Sequence, residues 1–475
     1  LRDLVQFLEK ENQLVRVQRC VSPLLEISEI QHRVSKAGGP ALLFENIEGS
    51  SLPLLTNLFG TRERIELVLG HRVDATFCDT FSKLVSANSK TMDGMSPVTL
   101  DNIRPDKWIP LQGVDALPIM QGWPGDGGRY VTFPLVFTRN PDTGAMNCGI
   151  YRMQVIDANT TCIHWQSHSD GYKNCQLHRL LKRPMEVVIA IGCAPQLLLA
   201  AAMGLPYGIN EMALAGVLQG NPVLMERCQT LPMTFPAATE IVLEGTVDPG
   251  ELRHEGPFGD YTGYYSNDDQ ASVFRINLVR HQREAIYLST LVGKPSLEFV
   301  ELIKFIHTIK LAKKKMNDPD IVDYYCPPEG AFTNFAFISI RKRYPGHARA
   351  MIEKIWSDTE RPSRVKIVAV FDADVNIRDL NEAFWHLGGN IEPTRDVFFG
   401  EGPLDDLNHS SSVKGYGSKL GIDATTKWPE EGYMRQWPQK IRMSQDIKRL
   451  VQTRWESYFA PPVPSSLNPV GGNYG

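Results

Sequence analysis

The chain has 475 residues, 42% hydrophobic and 22% charged, with a net charge of −4 and a pI near 6.3. That is ordinary globular composition, enough for roughly two to four domains. The balance argues against nucleic acid or a membrane surface as a partner, and the longest apolar stretch, Gln196–Leu205, is too short to cross a bilayer.

Leu1, Leu4, Val5 and Leu8 predict a first helix, and Leu14–Val17 a strand. A second helical pattern, Pro23–Ala37, ends at Gly38-Gly39, followed by the strands Ala41–Phe44 and Leu54–Phe59. The middle of the chain is rich in β-branched and aromatic runs: Tyr130–Thr138, Cys148–Ile156, Thr161–Gln166, Met185–Ile191, Thr239–Val247, Ser272–Val279 and Ala285–Leu291. Turn residues separate them, which predicts an antiparallel barrel or curved sheet with a helical interruption near Gln196–Gln219. Lys310–Lys315 is the densest basic run, and it continues the amphipathic pattern of Leu302, Ile303, Ile306 and Ile309 as a solvated helix face. A third region follows, in which Val365–Phe371 reads as a strand leading through Asp372 and Asp374 into a helix reaching Leu387. The tail after Pro461 has the composition of a disordered segment or arm.

Eight cysteines are scattered from Cys20 to Cys326 with no C-x-x-C pair, so a zinc knot or dithiol motif is not expected. Free thiols in such a chain point to a reducing, cytoplasmic compartment. Leu1–Arg19 is charged and amphipathic, unlike a signal peptide.

Several constellations could carry chemistry. Asn147, His168 and Glu211 combine an amide oxygen, an imidazole and a carboxylate, a donor set that favours Mn or Mg over a thiol-loving ion. Glu255 and Asp260 flank a Gly/Pro-rich turn, where paired carboxylates could move protons; read alone, they suit a solvated turn better. Arg152 could grip a carboxylate as a bidentate fork, or simply face outward from its strand. Gly415, Gly417 and Gly421 are not spaced as a dinucleotide fingerprint, but Lys419 among them could meet a phosphate. Asp372 and Asp374 read best as caps of the following helix.

In shared order these segments resemble the UbiD family of prenylated-flavin-dependent decarboxylases. The matching stretches include GGPALLFEN at Gly38–Asn46, NLFGT at Asn57–Thr61, GWPGDGG at Gly122–Gly128 and NCGIYRMQ at Asn147–Gln154. They continue with WQSH at Trp165–His168, EMALAGVLQG at Glu211–Gly220, EGPFGDYTGYY at Glu255–Tyr265, PPEG at Pro327–Gly330, FDADVN at Phe371–Asn376 and GSKLGIDATTKWP at Gly417–Pro429.

The resemblance implies an N-terminal α/β domain (1–110), a central split β-barrel of flavin-reductase type (111–295), and a C-terminal α/β domain with a helical oligomerisation arm (296–475). A homodimer or homohexamer is expected. Asn147, His168 and Glu211 would hold Mn(II), and backbone oxygens of Ala200, Ala201 and Met203 would hold K+. Ile150, Tyr151, Arg152, His164, Trp165, Gln166, Ser169 and Asp170 would line prenylated FMN, with Lys419 on its phosphate. Arg152, Glu255 and Asp260 would be catalytic, with Asp260 and Gly417–Pro429 closest to the polyprenyl-4-hydroxybenzoate branch of ubiquinone biosynthesis. Other readings are a simple phenolic or menaquinone-pathway acid, or a plain FMN-binding reductase or cofactor-binding module. A flavin prenyltransferase would supply the cofactor, and a greasy substrate would place the enzyme near membranes without inserting it.

Asn147 and Arg152 are an odd number of positions apart, so one ideal strand would point them to opposite faces. A β-bulge at Gly149 would reconcile them.

Overall fold

The computed structural model describes residues 1–70, 94–100, 107–205, 209–266, 270–294, 318–331, 334–357 and 364–459, with Glu298, Leu302 and Ile306. The basic run Lys310–Lys315 and the tail after Pro461 lie outside these.

The first helix, Arg2–Lys10, buries Val5 and Leu8. The second is shorter than its pattern, Glu26–Lys36, and the chain leaves it through Gly38 at φ +63°. Strands Leu14–Val17 and Ala41–Phe44 form as expected, in parallel, whereas the third stops at Thr56. The fourth strand of this sheet, Tyr287–Leu288, comes from the far end of the central segment and pairs parallel with Leu54–Leu55. Its apolar composition had suggested a barrel strand, but composition does not reveal which sheet a strand joins.

The central sheet has nine strands. Its hydrogen-bonded path runs from Tyr130–Val131 through Met153–Asp157, Thr160–Ile163, Gln270–Gln282, Ile241–His254, Met185–Ile191 and Leu135–Arg139 to Met146–Ile150. Strand Trp108–Leu111 pairs off this path with the end of Gln270–Gln282. The two long strands bend together at a register shift between Glu244 and Gly245, where a Cβ on Gly245 would sit 2.1 Å from the Arg275 carbonyl oxygen. The two regions read as single strands, Tyr130–Thr138 and Cys148–Ile156, are each two strands. The second break matters most. Met146–Ile150 ends one side of the path and Met153–Asp157 lies at the other, so Tyr151-Arg152 bridges the open seam of a split barrel.

The C-terminal sheet has parallel strands Phe335–Ile340, Ile367–Asp372 and Tyr416–Asp423, with antiparallel Ile321–Tyr325 and Val397–Pro403 at its edges. Helix His347–Trp356 packs on the face of Ile338 and Val370, and helix Leu380–Asn390 on the face of Phe337 and Phe371. Alternate strand residues therefore enter two cores. Asp379, not Asp372 or Asp374, caps helix Leu380–Asn390. Asp372 accepts from the Thr426 amide and hydroxyl, and Asp374 pairs with Lys440 and Arg442. Helix Gln445–Arg454 buries none of its residues, leaving Ile447 and Leu450 exposed. No described helix is long and apolar enough to cross a membrane.

Candidate active site

The site grows from the seam. The expected bulge at Gly149 is absent: Met146–Ile150 pairs with Leu135–Arg139 in unbroken register. The strand instead ends at Ile150, so the parity argument does not reach Arg152. Gly149 has another role. A Cβ there would lie 2.6 Å from the Tyr151 ring, and one on Gly171 would lie 2.9 Å from it. Two glycines thus admit the buried ring, which meets Trp165 edge-on at 4.8 Å and accepts a hydrogen bond from the Gly171 amide.

Arg152 points into a buried polar cluster. Its Nε and Nη2 donate to Glu255 Oε1 and Oε2 at 2.9 and 3.0 Å, Nη1 donates to Asp260 Oδ2 at 2.8 Å, and Nη2 donates to Ser266 Oγ at 3.1 Å. Its guanidinium lies 4.7 Å from the Phe258 ring, a cation–π contact. The bidentate fork is therefore closed on Glu255. A guanidinium has five donors; four serve Glu255 twice, Asp260 and Ser266, leaving one Nη1–H open among the described residues. His164 completes the group, its Nδ1 2.7 Å from Glu255 Oε2 and 3.3 Å from Arg152 Nη2.

The turn carrying the carboxylates is held in place by Asp126 of the GWPGDGG segment. Asp126 accepts from the amides of Gly122, Trp123 and Gly259. Gln154 ties Gly127 to Gly256. Short β-pairing of Phe258–Gly259 with Tyr265–Ser266 then presents Asp260 and Ser266 to one guanidinium. Ser266, Asp126 and Gln154 escaped the sequence reading. Only the density of Gly and Asp around Trp123 hinted at a bonded turn.

The electrostatics differ between the two acids. Burial alone would raise Glu255, but the bonds from His164 and Arg152 outweigh it and hold its pKa below the usual value. Asp260 is raised, because its burial exceeds the pull of Arg152 and the Tyr261 amide. Two carboxyls with opposed shifts are the arrangement acid–base chemistry uses.

A second nest adjoins the first through Tyr151. Asn147 donates to Thr138 Oγ1 and also hydrogen-bonds Tyr151, as does Ser169. Glu211, first residue of helix Glu211–Gln219, accepts from the Cys148 amide at 3.0 Å. Burial, with Asp170 adding a like charge, pushes Glu211 up to about 8. Helix Pro195–Ala202, bearing Ala200, Ala201 and then Met203 at its C-terminal end, packs against both Glu211–Gln219 and Met146–Ile150. Gln166 and His168 lie on an exposed turn, and Ser169 caps helix Asp170–Leu180. Ser167 on that turn donates to Asp406 at 2.7 Å, and the Tyr264 ring meets His409 at 4.1 Å, so the C-terminal domain adjoins the site. Lys419 stands opposite Gly400 in the C-terminal sheet, its ammonium 5.9 Å from the Trp356 ring and lowered by burial to about 8.

Of these residues, Glu211 and Asn147 suit a cation and Trp165 suits a bound acceptor such as a flavin carbonyl. A buried carboxyl that holds a proton to about pH 8 invites a cation, and Asn147 adds an oxygen donor beside it. Among the described residues the buried Trp165 indole nitrogen has no partner, which suits a bound acceptor. Among the described residues no three His, Cys, Asp or Glu side chains gather as a ready-made cluster, so any ion here relies on mixed donors. Glu211 also sets a stability dependence. Its folded pKa exceeds the unfolded value of 4.5, so its contribution is complete below 4.5 and is lost as pH rises through about 8. Apo-protein should lose roughly 4–5 kcal/mol across that window. Glu211→Gln should flatten it in urea melts at pH 5 and pH 9, whereas an unchanged slope assigns the effect elsewhere.

The chain matches the N-terminal, Rift-related and C-terminal domains of 3-octaprenyl-4-hydroxybenzoate carboxy-lyase over residues 5–84, 109–295 and 300–424. An uncharacterised protein of Aquifex aeolicus is 39% identical over 96% of this chain and 98% of its own. Vanillic acid decarboxylase of Sedimentibacter hydroxybenzoicus, in closed form, is 27% identical, covers 96% of this chain and 98% of its own, and superposes with a TM-score of 0.84. The UbiD-class enzyme HmfF of Pelotomaculum thermopropionicum, in complex with FMN, is 29% identical over 92% of this chain and 97% of its own, with a TM-score of 0.76. With all three domains matched in order around one buried acid–base cluster, the chain belongs to the UbiD family of carboxy-lyases.

Proposed function

We propose that this protein decarboxylates a 4-hydroxylated aromatic acid of the polyprenyl-4-hydroxybenzoate type, using prenylated FMN. The observation that carries the reading is Arg152 closed on Glu255 and Asp260 with one Nη1–H to spare. Loss of CO2 from an sp2 carbon leaves a localised carbanion that side chains stabilise poorly, and prenylated FMN, when bound, would supply the electron sink. Ile150, Tyr151, Arg152, His164, Trp165, Gln166, Ser169 and Asp170 would line the flavin, with Lys419 on its phosphate. Asn147, His168 and Glu211 would hold Mn(II), and the carbonyls of Ala200, Ala201 and Met203 would hold K+ at the negative end of their helix.

The open Nη1–H of Arg152 orients the substrate carboxylate. Glu255 protonates the carbon that lost CO2, while Asp260 keeps the guanidinium in place. The protein is cytoplasmic, receives its cofactor from a flavin prenyltransferase, and assembles through the exposed helix Gln445–Arg454. The likeness to vanillic acid decarboxylase favours a second reading, a simple phenolic acid as substrate. Holoenzyme offered 3-polyprenyl-4-hydroxybenzoate and vanillate separates the two. Faster release of CO2 from the prenylated acid is expected; vanillate turnover with the prenylated acid ignored favours the second reading.

A further inference from the structure

We propose that His164 is a positioning residue that relays protons from solvent to Glu255. This rests on Glu255 as the proton donor, and adds the source of its proton. Both Nδ1 of a neutral imidazole and a carboxylate oxygen can act as acceptors, and two bare acceptors repel. At 2.7 Å, His164 Nδ1 and Glu255 Oε2 must share a proton. The longer 3.3 Å approach of Arg152 Nη2 to the same nitrogen does not compete with it.

Glu255 needs such a source. It is held ionised by the Arg152 fork, yet every turnover consumes one proton. Its side chain is 2% exposed, Asp260's is 8%, and His164's is 17%, so the imidazole is the most open titratable member of the cluster. Arg152 cannot serve, because guanidinium does not release its proton in proteins. With His164 as imidazolium, two cations face two carboxylates and the cluster is neutral. The other titratable groups facing it are Tyr130 and Asp126 beside Arg152, Cys162 beside Glu255, and Asp405 beside Asp260. The step balances as one proton. It leaves His164 Nδ1, resides on Glu255 Oε2, and passes to the carbon that lost CO2. A buffer acid then returns a proton to the imidazole.

His164→Asn keeps a side-chain N–H but does not titrate; His164→Ala removes both. Holoenzyme turning over 3-prenyl-4-hydroxybenzoate in dilute buffer should lose about tenfold or more in kcat for each variant, with little change in KM. Added imidazole should restore His164→Ala in a concentration-dependent way and leave wild type unmoved. Apo-protein provides a readout independent of cofactor: a downfield Nδ1–H proton resonance, absent in His164→Asn. Wild-type turnover by His164→Asn, loss in His164→Ala that imidazole does not answer, or absence of the resonance would overturn the relay while leaving the donor role of Glu255 intact. Full turnover by Glu255→Gln measured alongside would overturn both.

Discussion

Glu255→Gln should fold normally, bind metal and flavin like wild type, and lose at least about 10² in turnover, the lower end for a missing general acid. Gln preserves the shape and one acceptor for Arg152, but its amide exchanges no proton at neutral pH. The variant should also cease to place solvent deuterium at the former carboxyl carbon. Asp260→Asn should be milder, because Asp260 meets a single Nη1 while Glu255 takes both Nε and Nη2. The opposed shifts make the comparison pointed, since burial raises Asp260 from its ordinary value while His164 and Arg152 lower Glu255 from its own. Single-turnover decarboxylation in D2O, with cofactor content checked for each variant, decides between them. A dead Asp260→Asn beside a fast Glu255→Gln reverses the two roles.

Arg152→Met should abolish turnover and destabilise the apo-protein by about 3–5 kcal/mol at pH 8, the penalty for breaking a buried ion pair from one side. Glu255 and Asp260 would then lie almost out of solvent with only His164, beside Glu255, left to answer their charge. Loss of the Arg152 pull raises both carboxyls relative to the wild-type folded state, so part of the lost stability returns as pH falls and they protonate. Urea melts at pH 5 and pH 8 check this. Equal losses at both values would mean that packing on Phe258, rather than charge, dominates. Arg152→Met with Glu255→Leu should recover part of the loss, because one of the two uncompensated carboxylates is then gone.

Much of this was legible in the chain. Leu14–Val17, Ala41–Phe44 and Met185–Ile191 have the bounds the sequence predicts, because short apolar runs between turn residues are local signals. Arg152, Glu255 and Asp260, scattered over a hundred positions and individually unremarkable, do meet. Their meeting was legible only through the order of motifs, never through spacing. What stayed hidden is tertiary. Nothing local marks Tyr151-Arg152 as a seam between the two ends of a curled sheet, or sends Tyr287–Leu288 to the N-terminal sheet. Asp372 looked like a helix cap because caps are local, but its partner Thr426 lies on the next strand's exit. His164 was read as lining a flavin, and its bond to Glu255 appears only when Thr160–Ile163 is placed beside Met153–Asp157.

In the proposed reaction, buried acid–base groups work on a substrate activated by prenylated FMN. Its most direct test is CO2 release from 3-polyprenyl-4-hydroxybenzoate by protein made with and without a co-expressed flavin prenyltransferase, with bound cofactor identified by mass. Activity is expected only in the co-expressed preparation, together with prenylated FMN. Equal CO2 release by protein carrying plain FMN, or no flavin, would contradict it.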